Sequence, residues 1–156
     1  MKNFFHFALI SVAIVTCSLC PAFAESDVAV VVNPKNPVTN LSSTEVRKLF
    51  AGEKRSWPGG LPVKIFVRAP VAHERFVLLK LLGMSESDYK QYWTTQVFRG
   101  EAQAEPIALF SNGMEREAVA TYEGALALID VQDLKPGMKV IKVDGHVPGE
   151  SGYPLQ

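Results

Sequence analysis

The chain has two cysteines, Cys17 and Cys20, and both fall inside its first 24 residues. The rest has none, so no disulfide braces it and no thiolate serves it as a nucleophile or metal ligand. Histidine is scarce too: beyond His6 there are only His73 and His146. Sixteen basic residues are matched by sixteen acidic ones, and the lack of a basic excess argues against nucleic acid or an anionic membrane as partners. After residue 24 no apolar run is long enough to span a bilayer. There is no internal repeat, no low-complexity tract, no G-x-S-x-G and no Gly-rich nucleotide loop.

What is present begins with a leader. Met1-Lys2 gives a positive start, Phe4 to Val15 is apolar, and Ala22-Phe23-Ala24 is an A-x-A cleavage signal. The expected division is a signal peptide over residues 1–24 and one exported domain over 25–156, cleaved after Ala24. Thr16 and Leu19 are poor residues before a lipidated cysteine. The remaining length suits a single core that needs no staples.

The domain centres on Leu61 to Phe76, LPVKIFVRAPVAHERF. Val63, Ile65 and Val67 alternate into a strand that Arg68 closes, and Pro70 bars its continuation. From Ala72 the period becomes helical, with Ala72, Phe76, Leu79 and then Leu82 or Gly83 on one face. A helix N-terminus beside an arginine is a ready anion site. A lone arginine is more commonly a structural ion-pair partner, and the neighbouring motifs decide between the two.

Around this centre the signals alternate. Asp27 to Asn33 is a β-branched run that reads as a strand buried on both faces of a parallel sheet. Ser42 and Glu45 form a capping box for a helix ending at Gly52. In KRSWPGG, Trp57 reads as the anchor that pins a loop. Ser85 to Asp88 opens a helix carrying Tyr89, Tyr92, Trp93 and Gln96 on one side. Pro106 to Phe110 is a short strand, Ser111 or Asn112 caps a helix from Met114 to Tyr122, and Ala125 to Ile129 is another strand. Met138 to Val143 alternates as a last strand, and Gly145 to Gln156 is irregular. Glu115 and Glu117 read as a solvated helix face. The sum is an α/β domain with a mostly parallel sheet, whose ligands bind beyond the carboxyl ends of the strands. Arg68 lies at that end.

Asn33-Pro34, Leu41-Ser42, Leu49-Phe50-x-Gly52, Trp57-x-x-Gly60 and the strand ending in Arg68 together resemble the periplasmic phosphate-binding proteins of ABC transporters. Glu123 to Ile129, Gly145 to Pro148 and Tyr153-Pro154-Leu155 extend the resemblance over essentially the whole domain. It implies one lobe of a type II periplasmic binding protein, an α/β fold with a mostly parallel sheet flanked by helices. It also implies a periplasmic location and transport rather than catalysis. The implied ligand is phosphate or a similar oxyanion, held by Arg68 and the helix start at Ala72 and His73, with Ser111, Asn112 and Gly113 as further contributors. An ABC transporter permease is the implied partner.

Two departures qualify that expectation. Where the family has Ser-Gly-Thr, this chain has Ala72-His73-Glu74, which removes two hydroxyl donors and adds a carboxylate. The chain also corresponds to about one lobe of a two-lobed family. A helix N-terminus and one charge-assisted bond contribute roughly 2–4 kcal/mol together, near a millimolar complex. Weak oxyanion binding is therefore one expectation. The other is a ligand-free periplasmic module that binds a protein partner or forms a homodimer. An enzyme is the least supported class: His73-Glu74 begins H-E-x-x-H, but Val77 stands where the second ligand belongs. No catalytic residue, metal ligand or cofactor is assigned.

Overall fold

The computed structural model describes residues 26–156; the expected leader lies outside them. The chain enters through β1 (Val28–Val32), a short β2 (Asn40–Leu41) and α1 (Ser43–Phe50). Ser42 caps α1 and Glu45 returns the bond to Ser42, the predicted capping box. β3 (Lys64–Arg68) leads into α2 (His73–Leu82), and α3 (Glu86–Phe98) follows behind a second capping box, Ser85 with Asp88. Next come β4 (Ile107–Leu109), α4 (Asn112–Thr121) capped by Ser111, and β5 (Ala125–Asp130). A single 3-10 turn, Val131–Asp133, precedes β6 (Lys139–Val140) and β7 (Lys142–Val143).

The central sheet has the order β4-β3-β5-β1-β6. β3 is parallel to β4 and β5, while β1 is antiparallel to both β5 and β6. Four strands thus share one direction and β1 alone opposes them, so the sheet is mostly parallel, as expected. The expected direction of β1 is corrected. Its apolar run reports burial on both faces, and all five residues are buried, but it does not report direction. β1 ends beside Leu126 and β3 starts beside Ala125. The chain therefore leaves and re-enters the sheet at one edge, which makes the two strands opposed.

The predicted last strand is also corrected. It divides at Ile141, with β6 joining the central sheet on β1 while β7 pairs with β2 in a separate two-stranded ladder. Strand alternation then sorts the core. Val28, Val30 and Val32 face α1, α2 and α3. Ala29, Val31, Ala125 and Ala127 face α4, where small side chains let a single helix lie close.

The expected inward face of α2 is a third correction. Phe76 is exposed, Glu74, Val77 and Leu78 are buried instead, and of the expected face Leu82 alone is buried. HERFVLLKLL is apolar on several sides, so periodicity alone leaves its rotation open. The tail is irregular as read, yet pinned: Tyr153 Oη donates to Val28 O at 2.8 Å and Val28 N donates to Leu155 O at 2.9 Å.

Candidate functional site

The carboxyl ends of β3, β4 and β5 lie together, and the N-termini of α2 and α4 open there. Arg68 ends β3 on the α4 side of the sheet, the side Phe66 also faces. Its Nη1 donates to Leu109 O at 3.1 Å, tying β3 to the end of β4. Its Nε has no hydrogen-bond partner and stands 3.7 Å from Glu74 Oε2.

Between Arg68 and α2 the chain makes a tight turn. Ala72 N donates to Ala69 O at 3.4 Å, Pro70 occupies the first corner and Val71 the second, at φ 71°. That is the type II pattern, whose second corner favours glycine. A β-branched residue there is strained. Ala72 caps α2 without any side-chain hydrogen bond, so no side chain takes up the first-turn N–H groups.

The other anticipated residues are partly committed. His73 Nε2 is 2.8 Å from Ser26 O. Ser111 Oγ accepts from Met114 N at 3.2 Å as the α4 cap. Asn112 Nδ2 donates to Asp133, while its Oδ1 is buried and unpartnered. At Gly113 a β-carbon would meet nothing closer than 3.7 Å, so space does not require glycine there. Arg68, Ala72 and His73 form one neighbourhood, and Leu109, two residues before Ser111, is the link to the α4 start.

Two glutamates dominate this edge: Glu74, read from the sequence as a carboxylate opposing an anion, and Glu115, which sequence reading placed in solvent. Glu74 accepts from Asp130 N at 3.5 Å and faces Arg68, so the guanidinium is already offset within the protein. Glu115, expected in solvent, is fully buried, and neither carboxyl oxygen has a hydrogen-bond partner. Burial, and then the charge of Glu74, push its pKa up to about 9, with Arg68 opposing. It is therefore a neutral acid at pH 7. The signal was present in the spacing: Glu115 precedes Ala118 and Val119, and Glu74 precedes Val77 and Leu78, by three and four residues. Each glutamate heads a buried stripe in the first turn of its helix. Glu117 is exposed as read. Among the described residues no group of three or more His, Cys, Asp or Glu is arranged to hold a metal.

A lobe of one α/β sheet with two helix starts over its carboxyl edge is the arrangement in which open α/β folds bind ligands. A family profile described as a PBP superfamily domain matches residues 20–152, and the chain belongs to that superfamily. Its fold is similar to an ABC-type phosphate transport receptor from Vibrio cholerae, with TM-score 0.63 and 19% identity over 79% of this chain and 48% of that one. It is similar also to a putative phosphate ABC transporter substrate-binding protein with bound phosphate from Clostridium perfringens, at 0.62 and 17% over 77% and 46%. A phosphate-binding protein from Stenotrophomonas maltophilia gives 0.59 and 17% over 81% and 41%. The chain spans about half the length of these proteins.

Proposed function

We propose that this chain is an exported solute-binding lobe that takes phosphate or a similar oxyanion weakly, in competition with its own Glu74 carboxylate. The observation that carries this reading is the first turn of α2, free of any side-chain cap and set beside Arg68. Backbone N–H groups and a guanidinium are the donors that an oxyanion needs. Glu74 already offsets that guanidinium, so an arriving anion must displace the carboxylate or share Arg68 with it. The reading includes a leader over residues 1–24, a periplasmic location, delivery to a transporter permease, and binding without catalysis.

Calorimetric titration with phosphate, with sulfate as the control, tests it. The expected result is saturable binding near millimolar that Arg68→Ala abolishes and Glu74→Gln strengthens about tenfold, since removing one opposing charge at this distance is worth roughly 1–2 kcal/mol. Absence of heat from both the parent and Glu74→Gln at millimolar phosphate would overturn it.

A further inference from the structure

The pairing of Arg68 with Glu74 leaves Glu115 unexplained. Glu115 lies in the first turn of α4, is fully buried, and has no hydrogen-bond partner at either carboxyl oxygen. Buried polar groups are nearly always bonded, and an ionised carboxyl held there without a partner would carry a large desolvation cost. The group is a neutral acid at pH 7, since burial and the charge of Glu74 push its pKa up to about 9. One of its oxygens therefore carries a proton that nothing accepts.

Glu74, which acts on Glu115 across this edge, is loosely held. Its Oε2 is 3.7 Å from Arg68 Nε and its Oε1 is 3.5 Å from the Asp130 amide, whereas close charge-assisted bonds run to about 2.7–2.9 Å. Its side chain is only 5% exposed, so water cannot take the place of Arg68 when that guanidinium turns to another anion. The other charged groups at this end are engaged. His73 and Asp130 are both bonded to Ser26, and Asp133 accepts from Asn112. Arg75, next along α2, is paired with Glu86. Among these groups Glu115 alone offers Glu74 an unused donor.

We infer, on the basis of the oxyanion reading, that Glu115 is a positioning residue of that site: when phosphate takes Arg68, the Glu74 carboxylate turns to the Glu115 carboxylic acid and accepts its hydrogen bond. Two neighbouring carboxyls can hold one proton between them, and a hydrogen bond from an acid to a carboxylate is of the strong, charge-assisted kind. Glu115 touches no ligand and acts only through Glu74. Without its donor, phosphate and Glu74 must share one guanidinium, and their negative charges repel.

The test is phosphate affinity, read by amide 1H–15N titration at pH 7, for the parent, Glu115→Gln and Glu115→Leu, each with and without Glu74→Gln. Glutamine keeps a donor. Leucine has none, and an apolar side chain in place of an unpartnered polar one should preserve the fold. Glu115→Met, unbranched and equally without a donor, repeats the comparison in a second side-chain shape. The expected result is that Glu115→Gln binds within about twofold of the parent and that Glu115→Leu and Glu115→Met bind about tenfold more weakly. Beside Glu74→Gln the same two substitutions should cost no more than about twofold, because no displaced carboxylate then needs the donor. Equal loss from Glu115→Gln and Glu115→Leu, no loss from Glu115→Leu, or a loss that persists undiminished beside Glu74→Gln would overturn this role and leave the oxyanion reading standing. Absence of binding by both the parent and Glu74→Gln would overturn the two together.

Discussion

The two edges of the sheet handle charge in opposite ways. At the carboxyl edge Arg68, Glu74 and Glu115 are drawn inside, the last fully buried and without a partner. At the amino edge Arg55, Glu101 and Glu105 remain exposed around an open cavity. The carboxyl edge is thereby filled by its own side chains, and the amino edge is held open by its backbone. Trp57 fixes the wall there: it is buried, and its Nε1 donates to Gly124 O at 3.0 Å. Gly124 allows the close approach, since a β-carbon on it would lie 2.0 Å from Pro62 O. Charge buried without full hydrogen bonding is costly, whereas exposed charge costs little. Strain and pH sensitivity should therefore concentrate at the carboxyl edge, and rigidity at the amino edge.

The largest expected effect breaks the rigid side. Trp57→Ala removes the buried anchor of the amino-edge wall and should cost about 3–5 kcal/mol, read by urea unfolding. A loss under about 1 kcal/mol would mean that the wall is held by something else.

Next comes Glu115. Its pKa of about 9 in the folded protein lies above its ordinary 4.5. A group raised in this way supports folding fully below its unfolded value and progressively less as pH climbs towards the folded one. Stability should therefore decline between about pH 5 and 9, with Glu115 contributing at most roughly 1.4 kcal/mol per unit. Glu115→Gln should flatten that decline and leave the variant about 2–3 kcal/mol more stable than the parent at pH 8. Unfolding curves at pH 6 and pH 8 decide it, since a difference that does not change with pH would show Glu115 ionised in the native state.

Glu74→Gln sharpens the contrast functionally, since it should gain phosphate affinity about tenfold at the carboxyl edge. Calorimetric titration of parent and variant with phosphate reads it. Smallest is Val71→Gly. It relieves the strained corner before α2 and should stabilise the protein by about 1 kcal/mol, visible as a rise of a few degrees in Tm.

Much of the fold was legible because its signals are local. The capping boxes at Ser42–Glu45 and Ser85–Asp88, the stop at Gly52 and the strand ended by Arg68 each depend on residues within a few positions of one another. Trp57 was readable as an anchor because a loop with one large aromatic has one way to bury it. The site was legible only in outline. Arg68 and the start of α2 stand together as expected, but Ser111 is committed as a cap and Asn112 is bonded to Asp133. Glu74 was read as opposing an anion, but Glu115 was misplaced in solvent, because a carboxyl is read as exposed unless its place on an apolar stripe is weighed more heavily than its charge.

The sequence by itself determined the helix starts and the main strands, since hydrogen bonds within a turn and side-chain period are decided over a few residues. Tertiary structure alone decided that β1 runs against its neighbours, that the last strand divides between two ladders at Ile141, which way α2 turns its apolar faces, and that Glu115 is neutral. Those outcomes depend on groups distant in the chain. A strand takes its direction from where the chain re-enters the sheet, and a carboxyl takes its proton from how much water and which charges surround it in the fold.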